Sequence, residues 1–163
     1  MIDPVTTWAI KIAGSVVGHA IQRFTGGRPE AEWAVKKIGA NVYASIHIKN
    51  PGRGGVFVQE VHVEPPIYCV AKNDSAVAIA SAAFLNVGAS VLLGPGEERD
   101  LPVFRRPTKV PKAEEPPSQM VRFTIHWHKT SSTWVWRPPV CVVTSTDHIK
   151  QMEDAAQPWH GVS

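Results

Sequence analysis

Val121-Arg122-Phe123-Thr124-Ile125-His126-Trp127-His128 alternates without interruption between apolar and polar side chains. On an extended chain Val121, Phe123, Ile125 and Trp127 share one face, and Arg122, Thr124, His126 and His128 share the other. A period of two belongs to a strand with one side in a core and one in water; a helix needs apolar residues three and four apart. The chain turns over residues 129–132 and returns over 133–137, and pairing parity puts Trp134 and Trp136 on the face of Trp127. Pro138-Pro139 kinks the return before residues 140–144 resume as a strand.

The same period governs most of the chain upstream. Across residues 41–49, Val42, Ala44, Ile46 and Ile48 alternate with Tyr43, Ser45, His47 and Lys49. Residues 50–55 (Asn-Pro-Gly-Arg-Gly-Gly) are dense in turn formers, residues 56–64 read as a second strand, and Pro65-Pro66 ends it. Further strands are predicted over 67–71, 76–84, 90–93 and 99–104. Residues 105–118 hold four prolines and mixed charge, the composition of an exposed extended loop. Pro107 and Pro111 are one residue too far apart for a PxxP docking peptide.

About seven short strands, regular turn signals and a tryptophan cluster describe a β-sandwich. The segment Leu93-Gly94-Pro95-Gly96-Glu97, followed by a strand, resembles a loop of bacterial immunoglobulin-like and fibronectin-like domains. That resemblance covers one loop and two strands; it implies an immunoglobulin-like/fibronectin-like β-sandwich and no particular activity.

Residues 1–39 read as a helical segment preceding a sandwich domain over 40–145. Asp3-Pro4 suits a helix start. Trp8, Ile12, Val16, Ala20 and Phe24 recur every fourth residue, Val17 and Ile21 lie beside them, and Gly26-Gly27 ends the pattern. A second short helix is predicted from Pro29 to Gly39, with Ala31, Ala34, Val35 and Ile38 as its stripe. Residues 146–163 form a short polar tail, in which a helix starts near Ser145 and Asp147 and fades by Gln157.

The chain has 163 residues, 44% hydrophobic and 19% charged, which suits one globular domain with an appendage. A formal charge of +3 is too mild for a nucleic-acid-binding face. Cys69 and Cys141 sit in apolar, β-branched runs, as buried free thiols do. The antibody disulfide pattern fails, because Pro139 stands where a tyrosine should precede the second cysteine and no tryptophan soon follows the first. Lys11, His19 and Arg23 interrupt the N-terminal apolar stretch, so it lacks the form of a secretory signal. No run reaches the about 18 apolar residues of a spanning helix. These features lead us to expect a cytoplasmic protein.

His126 and His128 are the strongest metal candidates, since residues two apart on a strand point the same way. A metal site needs a third convergent ligand, and no acidic residue follows in strand spacing; solvent-facing histidines are the simpler reading. If residues 41–49 paired with 56–64 as a hairpin, His62 would share a face with His47. H-E-x-x-H, C-x-x-C and G-x-S-x-G are all missing. Gly52-Arg53-Gly54-Gly55 precedes a strand and not a helix, so it cannot cradle phosphate on helix amides. Trp127, Trp134 and Trp136 could form a sugar platform, but sharing a face with Phe123 and Ile125 makes them core.

The expected function is therefore a non-catalytic protein-binding or assembly module. It would contact its partner, or a second copy, through Trp8, Ile12, Val16, Val17, Ile21 and Phe24, or through an exposed sheet face. The alternative is a peripheral membrane protein anchored by the same helix face, and a second alternative is a metal-dependent enzyme centred on His126 and His128. No cofactor, nucleic acid or small-molecule ligand is expected. If the helix face is buried, Val17→Asp with Ile21→Asp should cost roughly 1.5–3 kcal/mol for each side chain in denaturant unfolding, or abolish assembly in sedimentation. Unchanged stability and assembly would refute that burial.

Overall fold

The computed structural model describes residues 27–107, 117–131 and 137–157. The order of elements is β1 (Glu30–Ile38), β2 (Asn41–Lys49), β3 (Val56–Glu64), β4 (Tyr68–Val70), α1 (Ala76–Phe84), β5 (Val91–Leu93), β6 (Glu98–Arg105), β7 (Met120–Lys129), β8 (Val140–Ser145) and α2 (Thr146–Ala156). The fold is mainly β, with two four-stranded antiparallel sheets ordered β1-β2-β6-β4 and β5-β3-β7-β8. The helix predicted over residues 8–24, and Trp134 and Trp136, lie outside the described residues.

β7 follows the predicted alternation: Val121, Phe123, Ile125 and Trp127 are buried, and Arg122 and His126 are exposed. The core draws from both sheets, with Ile46, Ile48, Leu101 and Val103 facing Val56, Val58, Phe123 and Ile125. Phe123 meets Trp33 edge-on at 5.1 Å between ring centroids and Tyr68 at 6.3 Å, so aromatic contacts link β7 to β1 and β4 of the other sheet. The Trp127 indole N–H donates to the Pro138 carbonyl at 3.1 Å, which satisfies the one polar atom of that buried ring.

Three sequence expectations are corrected. Residues 30–38 are strand β1 and not a second helix; they pair along their whole length with β2, from Glu30 opposite Lys49 to Ile38 opposite Asn41. The stripe Ala31, Ala34, Val35 and Ile38 fits a helix, but it leaves Trp33, the largest side chain, on the wrong side. As a strand, Ala31, Trp33 and Val35 all pack on the core. Gly39, read as the helix stop, instead begins the β1–β2 turn with φ 62°, a left-handed value that glycine adopts without a Cβ penalty.

Residues 76–84, expected as a strand, form helix α1. Val77 and Ile79 between alanines mimic a period of two, yet alanine is the best helix former, and Ala78 and Ala82, four apart, are the buried pair. Ser75 caps the helix by accepting the Ala78 N–H at 3.2 Å, and the Asn73 side chain accepts the Ser75 N–H at 3.0 Å.

Nor do β2 and β3 form a hairpin. β2 lies between β1 and β6, β3 lies between β5 and β7, and residues 50–55 carry the chain from one sheet to the other. His47 and His62 therefore belong to different sheets. Asn50 holds this crossover. It is fully buried, and its amide nitrogen donates to the carbonyls of Gly54, Gly94 and Leu93 at 2.7, 3.0 and 3.2 Å. Its side-chain oxygen accepts the Gly52 N–H at 3.0 Å. Gly52 packs so closely that a Cβ there would stand 2.9 Å from the Gly27 Cα.

α2 opens where the tail helix was expected, with Ser145 accepting the His148 N–H and Asp147 in the first turn. It also does what a polar tail would not: Ile149 and Met152 enter the core. Glu153 accepts the Ala44 N–H at 2.9 Å, at a point where β6 has already diverged from β2.

Asn50→Asp keeps the shape of the side chain but removes its donors and sets a carboxylate against three carbonyls. It should lower unfolding free energy by about 2–4 kcal/mol in urea titration. Burial pushes the Glu153 carboxyl above its ordinary range, against the Ala44 N–H bond and with a smaller push from Asp154. A raised folded-state pKa gives stability that is present below the ordinary carboxylate range and is lost as pH rises through the raised value. Glu153→Gln retains the acceptor and cannot ionise. Its melting temperature relative to wild type should therefore be more favourable at about pH 7 than at about pH 4; a constant difference would contradict the burial effect.

Candidate functional site

Trp8, Ile12, Val16, Val17, Ile21 and Phe24 lie outside the described residues. His126 and His128 both stand on the outer face of β7, as the alternation required. They do not share a ligand set. His126 is in register with Glu60, while the His128 ring sits 5.2 Å from the Phe57 ring. His62 stands opposite Thr124 on the same sheet. Among the described residues, no three His, Cys, Asp or Glu side chains converge to hold a metal ion.

The other sheet carries a polar cluster that sequence reading missed. His47 Nδ1 lies 2.7 Å from Asp100 Oδ1, and Nε2 lies 3.6 Å from Glu98. A carboxylate can only accept, so the short contact puts a proton on Nδ1. Lys36 Nζ is 3.4 Å from Asp74 and 4.0 Å from Asp100, so its stem crosses β2 from β1 to β6. Ser45, two residues before His47 on that face, is fully buried and its hydroxyl has no hydrogen-bond partner among the described residues. Ser45, His47 and Asp100 resemble a nucleophilic triad in composition only. Nε2 faces Glu98, which pairs with Lys49, whereas Ser45 pairs with Pro102 in the opposite direction along β6. The imidazole cannot take the serine proton from there.

One concave feature lies on the open side between the two sheets, with Glu60 and His62 among its lining residues. β5 covers β3 only from Val56 to Val58, and among the described residues no strand lies beside residues 59–63 on that edge. β4 is the facing edge of the other sheet. Between them is a cleft of about 190 Å³ lined by residues 60–63, Tyr68, Cys69, Val70, Ala82, residues 86–88 and Arg106. On the far side of the fold β1 and β8 are tied together, with Arg28 donating to the Pro139 carbonyl at 2.6 Å.

Arg106 is anchored by its backbone N–H to the Ile67 carbonyl at 2.8 Å and by its guanidinium to Asn86 Oδ1 at 2.8 Å. Its Nε is buried and has no partner among the described residues. Asn86 has φ 54°, a left-handed conformation that asparagine tolerates better than most residues. Cys69 is buried, and its Sγ is 3.6 Å from the Phe104 carbonyl. Burial pushes the Cys69 thiol up, against the pull of Arg106, and burial likewise raises the Tyr68 phenol. Neither is an activated nucleophile. Cys141, also expected to be buried, is exposed on β8 of the other sheet, and both thiols are free.

Apolar side chains stand exposed on α1 and the turn after it, and one of them, Val87, lines this cleft. Val77, Phe84 and Leu85 are 76, 75 and 72% exposed, and Val87 is 56% exposed. Single exposed apolar residues are ordinary, but four on one short helix and the turn after it form a patch. Sequence reading had put the first two in a strand. The composition of α1, apolar at every position but Ser81, is the available signal, since a nine-residue helix has too little buried face to hide it. Among the described residues no helix is long and apolar enough to cross a membrane. In comparisons with known proteins, the chain matches no family model. No curated protein matches it either.

Proposed function

We propose that this chain is a non-catalytic protein-binding module, built as an immunoglobulin-like β-sandwich, that engages its partner on the open side around α1. The observation that carries this reading is the exposed apolar patch of Val77, Phe84, Leu85 and Val87, with a β3 edge that no strand fills among the described residues. Strand order supports the fold assignment. If β1, β2, β3, β4, β6, β7 and β8 are labelled A to G, the sheets become A-B-E-D and C-F-G, the constant-type arrangement, with β5 added beside C. Loops and edges of such sandwiches serve binding on a rigid scaffold. In this reading the stripe from Trp8 to Phe24 supplies a second apolar contact.

The titratable side chains point the same way. The His47 ring is held against Asp100 and Glu98 on a sheet face, and burial raises the Tyr68 phenol and Cys69 thiol that line the cleft. A photo-crosslinking amino acid at position 84 should give a discrete adduct in the native cell, while one at exposed Lys49 should give none. Phe84→Asp should weaken the same complex at least about tenfold and, because the side chain is mostly in water, shift unfolding free energy by no more than about 0.5 kcal/mol. No adduct from position 84, or equal adducts from both positions, would refute the reading.

A further inference from the structure

β1 ends the first sheet on the side away from β4, where α1 packs. Edge strands are usually kept short or broken by a bulge or a proline. β4, β5 and β8 are three, three and six residues long, but β1 runs for nine, without proline, and pairs one-to-one with β2 from end to end. Among the described residues no strand lies on its other side.

The direction of its free groups follows from β2. In an antiparallel pair, alternate residues turn their N–H and C=O toward the partner. The Ala44 N–H goes to Glu153 and not to β1, and Asn50 bonds to Glu97 and Gly96, so even-numbered residues of β2 face away from β1. Odd-numbered ones face it, and they stand opposite the even-numbered residues of β1: His47 opposite Glu32, Ser45 opposite Ala34. The N–H and C=O groups of Ala31, Trp33, Val35 and Lys37 therefore point out from the sheet edge, and among the described residues none has a backbone partner. The side chains of Ala31, Trp33 and Val35 pack on the core yet stay half-exposed.

We propose that β1 pairs antiparallel with β1 of a second copy, about a two-fold axis through Ala34. One register meets three separate conditions. It overlaps all nine residues, with Glu30 opposite Ile38 of the second copy. It sets Ala31 opposite Lys37 and Trp33 opposite Val35, so outward backbone groups meet outward groups. It also places Glu32 opposite Lys36, and Glu30 diagonal to that lysine, on both sides of the axis. A slip of one residue turns inward groups against outward ones, and a slip of two shortens the overlap. Parallel pairing would set acids beside acids and lysines beside lysines. Lysine on an edge ordinarily repels another strand; with the acids ahead of it, that repulsion selects one direction and one register. Lys36 lies 3.4 Å from Asp74 and 4.0 Å from Asp100, and its three donors suffice for a further carboxylate. An isologous contact of this kind closes at the dimer. α1 lies outside it, so the dimer displays the α1 patch twice, whatever occupies that patch.

The test is sedimentation of the full chain over a concentration series, with Glu32→Lys and Lys36→Glu made separately. The wild type should reach a dimer and no larger species. Each variant alone sets like charges opposite at two symmetric places and should dimerise at least about tenfold more weakly. Mixed in equal amounts, the two variants should recover a dimer, because each lysine of one chain then faces a glutamate of the other. Amide spectra are the folding controls. A second measurement needs no charge reversal at Lys36. In a Cys141→Ser background, which removes the exposed thiol, Ala34→Cys should form an interchain disulfide under diamide, since a non-hydrogen-bonded pair brings its Cα atoms to about 4.5 Å. Glu30→Cys in the same background should not. A monomeric wild type, folded variants that dimerise as tightly as wild type, a mixture of folded variants that stays monomeric, or a crosslink from position 30 equal to that from position 34 would each overturn the proposal.

Discussion

The side-chain amide of Asn50 is the constraint on which the two-sheet arrangement depends. The chain leaves the first sheet after Lys49 and enters the second at Val56, and it must turn without stranding buried backbone groups. Asn50 satisfies Gly54 within its own turn and Leu93 and Gly94 at the end of β5, so one side chain ties two corners from both sheets. Its backbone joins the knot as well, donating to the Glu97 carbonyl and accepting from the Gly96 N–H, both at 2.9 Å. A buried carboxamide of this kind is stable only because each of its polar atoms is used. The knot also fixes β5 at the base of β3. β5 is only three residues long, and among the described residues no strand takes the β3 edge beyond Val58.

The two outer sheet faces are finished differently. On the first, Lys36 crosses β2 to Asp100, and α1 packs over Cys69 and Ala71 at the β4 side. Exposed ion pairs contribute little to stability, so the value of the Lys36 bridge lies as much in its aliphatic stem, which covers the strand below. The second face is bare and mixed, with His62, Thr124 and His126 between Glu60 and Arg122. It has charge of both signs, and exposed Leu92, Met120 and Val143 are set among those charges.

What could be read from sequence was whatever depends on neighbours along the chain. β7, β2 and β8 announced themselves by alternation, and α2 by the cap at Ser145. Trp33 and the alanine-rich run 76–84 were misread because two periods fit each segment. The choice was made by partners far away: Phe123 for the tryptophan, and β4 for Ala78 and Ala82. The His47–Asp100 contact needs the register of β2 on β6, which no local pattern encodes. Asn50 looked like one turn residue among several. The cleft was the least legible, since Arg106 read as a loop cation and Ala82 as a strand residue; only tertiary packing sets them at one opening.

An unpaired strand edge beside an apolar patch is a hazard, because it can template the edge of another sheet. This fold limits that hazard through geometry. Pro65 and Pro66 stop β3 at its upper end, β5 occupies the lower end, and the turn after α1 passes in front, with Gly88 near enough that a Cβ there would stand 3.7 Å from that of Glu60. A second sheet would have to displace that turn along its whole approach. The arrangement therefore disfavours broad edge-to-edge pairing by shape, before any side chain is read.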